Sequence, residues 1–369
     1  MRLIELQNES DSLQACAAIG RGVPDTNLRG WGAILLPETL TLAEGLRQSG
    51  LTVLQGAKGA LALGSIAQIW SAARSIEPAL EREQSRNAAQ LLMNLAANVE
   101  SPKPGTAWRL PRSRLPGGRT LIMGIVNATP DSFSDGGAYD PLEHALRLAE
   151  EGADIIDIGG ESTRPGAQAI SPEDERTRTE PAIKALVRQI RIPISIDTTK
   201  PQVAKAAVDA GAEIVNIVSG DATGMPRDAA YCLMHMRGTP SDMQSRAVYQ
   251  DLHGEVLAEL QARLEKADIP QERIALDPGL GFAKTAEHNV LLLRRLRELT
   301  QLGRPLLVGP SRKSFIGKLT ARKAPQRVIG SVAAAAVAAV NGAAIVRVHD
   351  VKATREALQV ADAIRTSSA

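Results

Sequence analysis

Leu121-Ile122-Met123-Gly124-Ile125-Val126-Asn127-Ala128-Thr129-Pro130-Asp131-Ser132-Phe133-Ser134-Asp135-Gly136-Gly137 is the stretch from which the rest of the chain can be read. An apolar run of strand length stops at an amide side chain and breaks into a polar loop. The same event recurs. Ile155-Ile156 leads into Asp157, Ile194-Ser195-Ile196 into Asp197, Ile214-Val215 into Asn216, and Ala275-Leu276 into Asp277. Leu306-Leu307-Val308-Gly309 leads into Ser311-Arg312-Lys313, and Ile345-Val346 into Arg347-Val348-His349-Asp350. Short apolar runs ending in a polar group, separated by helix-length amphipathic segments, predict an α/β fold of parallel (β/α)8 type, the TIM barrel.

The expected strands are about 120–126, 155–159, 194–197, 213–217, 231–236, 273–277, 305–309 and 343–348. Three helix-to-strand joints share one pattern: Gly152-Ala153, Gly211-Ala212 and Gly342-Ala343. Glycine is expected to close each helix in a left-handed cap, and alanine to permit close packing. Asp157, Asn216 and Arg347 then stand at the same offset from their glycines, on the carboxyl-end face where barrel enzymes do chemistry. Between Ser219 and Tyr231 the crossover is so short that its helix should be a stub or absent.

Outward from the barrel, assigned to residues 120–369, the chain changes character. Residues 1–100 read as a small α+β N-terminal domain, with strands at 33–36 and 51–54 and helices at 38–49, 65–76 and 77–97. No catalytic constellation stands out there. Residues 101–119 carry four prolines and three glycines and read as a linker or irregular arm.

Composition narrows the function classes. A formal net charge of +2 gives no global field for nucleic acid or a membrane surface. Aromatics at 2% leave no stacking platform for bases. Cys16 and Cys232 have no metal-type spacing, and a reduced, cytoplasmic compartment is expected. No long apolar core follows Met1, so secretion is not expected, and Val332–Val340 is too short to cross a bilayer.

Any single strand-end Asp or Asn could be a helix cap. The set is harder to dismiss. Asn127, Asp157, Thr163, Arg164, Asp197, Asn216, Asp277, Lys313, Arg347 and His349 all fall on one predicted face. Arg164, Arg347 and His349, with Thr163 and Asn127, suit a polyanion such as pyrophosphate with magnesium as co-counterion. Asp197, Asn216 and Asp277 beside Lys313 suit a flat heterocycle with adjacent N–H donors, such as a pterin or purine. Met234 and Phe282 could touch its ring faces, with core packing the bland reading for Met234.

Residues 120–365 resemble dihydropteroate synthase, a pterin-binding TIM-barrel enzyme of folate biosynthesis. The matching segments are Asn127–Gly137, Asp157–Gly166, Ile196–Pro201, Leu233–Gly238, Asp277–Phe282, Ser311–Ser314 and Arg347–Asp350. The resemblance implies a transferase of an alkyl group other than methyl. It would condense 6-hydroxymethyl-7,8-dihydropterin pyrophosphate with 4-aminobenzoate, giving 7,8-dihydropteroate and pyrophosphate. It implies Asp197, Asn216, Asp277 and Lys313 on the pterin, with Asp157, Met234, Phe282 and Gly309 completing the substrate pocket. Thr163, Arg347 and His349 would hold pyrophosphate, and Asn127 would help place Mg2+. Phe133, Thr163, Arg164, Pro165 and Ser314 would close around aminobenzoate. Asn127, Asp197, Lys313, Arg347 and His349 are the expected catalytic set. The family's barrels imply a homodimer, and the apolar helix at 331–341 could pack against a partner.

Three departures from the family pattern surround the pterin half. Asn216 is followed by Ile217 rather than Asp, the segment 219–231 is shortened, and Ala283 replaces a glycine. They leave open a non-catalytic pterin-binding paralogue, and a pterin-dependent corrinoid methyltransferase shares part of the platform. Elsewhere, His144, His253 and His288 read as surface or capping residues, and His235 as a packed histidine. Glu173-Asp174-Glu175-Arg176 reads as the solvated start of a helix.

Overall fold

The computed structural model describes residues 1–22, 28–80, 83–128, 140–162 and 168–367. The chain divides into two compact units, Met1–Pro102 with Arg297–Gly303, and Lys103–Leu296 with Arg304–Ala369.

In the first unit β1 (Arg2–Leu6), β2 (Gly30–Leu35), β3 (Thr52–Gly56) and β4 (Gly59–Gly64) form an antiparallel sheet of order β1-β2-β4-β3. The helices are α1 (Glu9–Ala18), α2 (Thr41–Gln48), α3 (Ile66–Ile76) and α4 (Glu83–Glu100). Leu42, Leu46, Ile69, Leu92 and Val99 bury the helical stripes against Leu3, Ala33 and Leu35. The edge strand β1 does not keep bare backbone groups. Gln301 accepts from Leu3 N at 2.9 Å and donates to Leu3 O at 3.1 Å, while Glu298 accepts from Glu5 N at 2.7 Å. Side chains from a distant segment thus take the place of a neighbouring strand.

The second unit is the barrel. Its strands are β5 (Leu121–Asn127), β6 (Ile155–Gly159), β7 (Ile194–Asp197), β8 (Ile214–Ile217), β9 (Ala230–Met234), β10 (Ile274–Asp277), β11 (Leu307–Val308) and β12 (Ile345–Val348). They pair in parallel in the order β10-β9-β8-β7-β6-β5-β12-β11, and a parallel bridge between Leu276 and Leu306 closes the ring. The interleaved helices are α5 (Pro141–Glu150), α6 (Pro172–Leu186), α7 (Pro201–Ala210), α8 (Leu252–Lys266), α9 (Ala286–Arg294), α10 (Ser314–Thr320), α11 (Val328–Val340) and α12 (Val351–Thr366). Buried on both faces, the strands read as continuous apolar runs rather than alternating ones. No helix lies between β8 and β9, as the short Gly220–Ala229 connection requires.

Gly152, Gly211 and Gly342 sit at φ 98°, 118° and 99°, the left-handed caps that the repeated joint needs. The strands after them are staggered. Arg347 lies opposite Met123 and Met123 opposite Ile155, two residues short of Asp157. Asp157 lies opposite Ser195 and Ser195 opposite Ile214, again two short of Asn216. That steady slip is the shear by which eight tilted strands close.

The proline-rich stretch before the barrel is packed. Trp108 is 1% exposed and joins Leu110, Leu115, Leu121, Met123, Ile155, Ile214, Cys232 and Leu307 in one cluster. Its indole N–H donates to Arg273 O at 3.0 Å. These residues meet the lower ends of the strands, so the arm closes the barrel floor. Among the described residues no helix is long and apolar enough to cross a membrane.

Candidate active site

The rim above the carboxyl ends is built from the last residue of several strands. Asn127 pairs with Gly159, Gly159 with Asp197, and Asp197 with Asn216, while Asp277 pairs with Met234. Arg347 bridges this rim. Its Nε donates to Asp157 at 2.6 Å and its Nη2 to Asp197 at 2.8 Å. Asn216 Nδ2 donates to the same Asp157 oxygen at 3.2 Å. Arg347, expected on the anion side of the site, is thus ion-paired with two carboxylates of the other subsite's rim.

Asp157 and Asp197 each keep a second oxygen, Oδ1, that is buried and has no hydrogen-bond partner among the described residues. A buried acceptor without a donor is costly and marks a place for a ligand's N–H groups. Electrostatics agree. Burial pushes the Asp197 carboxyl up towards neutrality; Arg347 opposes the rise, and Asp157 and Glu175 add to it. Burial likewise raises Asp277, against the Gly279 N–H, Lys313 and Lys284. Burial pulls Lys313 down, helped by Arg347 and opposed by Asp277 and Asp197. For Arg347 burial also pulls down, but Asp157 and Asp197 outweigh it, so it stays charged. Shifts of this kind cluster at functional sites.

Asp277 Oδ1 accepts from Gly279 N at 2.7 Å, which folds the following turn back onto the strand. The Lys313 ammonium lies 4.0 Å from the Phe282 ring centre, a cation–π contact. Met234 and Phe282 share a small apolar cluster with Val218, Met236, Met243 and Ala283. Gly309 faces Arg347: a Cβ placed there would lie 3.8 Å from Arg347 Cβ. The Lys313 loop is tied down through Arg312, at φ 57°, whose guanidinium pairs with Asp350 at 2.6 and 3.1 Å. His349 Nδ1 meets Ser311 Oγ at 3.0 Å. Ser314 opens α10 and is exposed. Thr163, Arg164, Pro165 and Phe133 lie outside the described residues.

Two side chains escaped the sequence reading. Glu175 is not solvated: it is fully buried and accepts from Lys200 Nζ at 2.6 Å. The signal was there in α6, where Glu175, Thr179 and Ile183 recur at intervals of one helical turn and all face inward. Lys284, in the turn after Asp277, is 3% exposed. His235 is packed and hydrogen-bonded as expected, and His288 caps α9 with Thr285. His253 is buried in α8 instead of lying at the surface.

Comparison with known proteins places this geometry. The family described as "Pterin binding enzyme" matches residues 123–349. A dihydropteroate synthase from Synechocystis sp. is 50% identical over 263 residues, covering 67% of this chain and 91% of that protein. The Xanthomonas albilineans dihydropteroate synthase solved with 4-aminobenzoic acid superposes with a TM-score of 0.62 at 48% identity, covering 68% of this chain and 94% of that one. The same enzyme in complex with 7,8-dihydropteroate gives a TM-score of 0.60 at 44% identity, covering 68% and 95%.

Proposed function

The chain belongs to the pterin-binding enzyme family, and from that premise we propose that it is a dihydropteroate synthase. It joins 6-hydroxymethyl-7,8-dihydropterin pyrophosphate to 4-aminobenzoate and releases pyrophosphate. The observation that carries the reading is the rim itself: Asp157, Asp197, Asn216 and Arg347 interlock at 2.6–3.2 Å and leave two buried carboxylate oxygens unmatched among the described residues. Asp277, Asp197 and Asn216 take the pterin's N–H and carbonyl edge, and Lys313 with Phe282 bounds its ring. His349 and Arg347 are assigned to pyrophosphate, with Thr163 added by the family resemblance alone. The resemblance assigns Arg164, Pro165 and Phe133, with Ser314, to aminobenzoate.

The reaction is a displacement at a methylene carbon. The C–O bond breaks, its electron pair leaves with pyrophosphate, and the electron-rich dihydropterin delocalises the positive charge left behind. The neutral aromatic amine forms the C–N bond and then loses a proton to water. The protein's work is to aim the amine and to stabilise the departing anion.

Among the described residues no three His, Cys, Asp or Glu side chains form a metal cluster. Asn127 offers one neutral amide oxygen, which fits a Mg2+ held mainly by pyrophosphate and water. When bound, that ion would supply positive charge to the leaving group.

Exposed Ile329, Val337 and Val340 on α11 and Val360 and Ile364 on α12 support a homodimer. Cys16 and Cys232 are free, buried thiols, which supports a cytoplasmic setting. The test is an assay with both substrates and Mg2+, following 7,8-dihydropteroate by mass spectrometry. Product in step with pyrophosphate release is expected. Bound pterin without product would instead make the chain a non-catalytic binding paralogue, the alternative motivated by Ile217 and the missing helix.

A further inference from the structure

Behind the Asp277 turn lies a charged network that the proposed chemistry does not use. Lys284 Nζ is 2.9 Å from His235 Nδ1 and donates to Phe282 O at 3.1 Å. His235 is fully buried, and its Nε2 lies 3.0 Å from Glu259. Glu259 also pairs with Arg237, whose guanidinium lies over the Tyr249 ring at 4.0 Å. The Tyr249 hydroxyl donates to Ala283 O at 3.0 Å. Consecutive carbonyls of the turn, Phe282 and Ala283, are thus each held from behind.

The turn needs that support. Ala283 is in the left-handed region at φ 49°, a conformation that costs an L-residue about 1–2 kcal/mol. Gly279, at φ 70°, passes so close to the residue after β9 that an added Cβ would fall 1.9 Å from His235 O. The same eight residues carry Asp277 at one end and the Phe282 ring near the other.

We propose that Lys284 is a positioning residue for pterin recognition: wedged between His235 and the Phe282 carbonyl, its ammonium fixes the Asp277–Lys284 turn and keeps a positive charge behind the Asp277 carboxylate. The inference rests on the pterin reading of the site. Protonation states are consistent with it. Burial, and then Lys284, hold His235 down at about 4, so at neutral pH Nδ1 accepts from Lys284 and Nε2–H donates to Glu259. Burial lowers Lys284 to about 7, with Asp277 and Glu259 raising it and Arg263 and Arg237 lowering it. Besides these groups, His288 of α9 feels its charge. Below pH 7 Lys284 is therefore the ammonium, and its charge helps to keep Asp277 ionised.

Pterin pyrophosphate is titrated by calorimetry between pH 5.5 and 8.5 into full-length wild type, Lys284→Met and Lys284→Gln, with thermal unfolding of each. At pH 6.5, where Lys284 carries its charge, the Kd and the steady-state KM for pterin pyrophosphate should rise about tenfold in Lys284→Met, with kcat and the KM for aminobenzoate within about twofold. The acidic limb of pterin affinity should move up by roughly one pH unit, because Asp277 loses a supporting charge. Lys284→Gln returns an N–H donor without the charge, so it should recover part of the affinity and keep the shifted limb. A purely packing role would lower stability without moving that limb. Wild type that binds pterin, with the limb and KM unmoved in either variant that folds, overturns the Lys284 assignment alone. Wild type that binds no pterin overturns the pterin reading and this assignment together.

Discussion

The two ends of the barrel solve opposite problems with the same strands. At the floor, Trp108, Leu110 and Leu115 cover apolar side chains, and the one polar atom of the indole has a partner in Arg273 O. At the rim, Asp157, Asp197, Asp277, Lys313 and Arg347 crowd together, and two carboxylate oxygens lack donors among the described residues. The floor is satisfied and should contribute stability. The rim is strained electrostatically and should contribute recognition. Proteins tolerate that second arrangement where a ligand relieves it.

The largest expected effect breaks the floor. Trp108→Ala should cost about 3–5 kcal/mol in denaturant unfolding through the cavity it leaves, with pterin affinity within about twofold while the protein is folded. Equal losses in affinity would erase the distinction between the ends. At the rim, Lys313→Ala or Asp277→Asn should lower kcat/KM by about a hundredfold or more, roughly 2.7–4 kcal/mol. Their unfolding midpoints should stay at or above that of wild type, since each removes a poorly solvated charge. A midpoint that falls as far as in Trp108→Ala would mean that the rim is structural.

The pH dependence sharpens the contrast further. Pterin binding by this mechanism needs Asp277 ionised and Lys313 protonated. Asp277 is raised above the ordinary carboxyl range, so affinity should fall on the acid side nearer neutrality than usual. Lys313 is lowered from the usual ammonium range, so affinity should also fall at moderately alkaline pH. The linked stability has the opposite sense to ordinary carboxylates: a raised carboxyl is stabilising when protonated, and that contribution fades as pH climbs towards its folded value. Relative to Asp277→Asn, which shares the opposing contributions of His144 and His235, the ligand-free wild type should therefore lose stability between pH 5 and pH 7 with a steeper slope. The Trp108→Ala floor variant should show the same slope. The smallest effect is Ala283→Gly, where relief of left-handed strain and the added freedom of the unfolded chain oppose each other. A net change within about 1 kcal/mol is expected by thermal unfolding.

The barrel was legible because seven of the eight expected strands led into a polar residue and each of three joints repeated its glycine. Those are local signals, and all eight strands lie where the periodicity put them to within a few residues. The first unit was read less completely. β1 is only five residues long, and β4, Gly-Ala-Leu-Ala-Leu-Gly, lacks the β-branched residues that mark a strand. Glu298 and Gln301 gave no hint that they complete a sheet edge nearly 300 positions away, since long-range pairing leaves no local pattern. At the rim, the strand ends put Asp157, Asp197, Asn216 and Arg347 on one expected face, with Arg347 assigned to the anion subsite. That Arg347 sits between two carboxylates depends on strand stagger, which only the folded sheet displays. Lys284 stayed hidden because a lysine in a loop is ordinarily solvated. Its place in the proposal comes from His235, which directly follows β9 nearly fifty positions earlier.

Titrating pterin pyrophosphate into wild type, Trp108→Ala and Asp277→Asn at pH 7.5 tests the division of labour most directly. The account predicts comparable affinity in the first two and a loss of about a hundredfold in Asp277→Asn. Equal affinity in all three would contradict it.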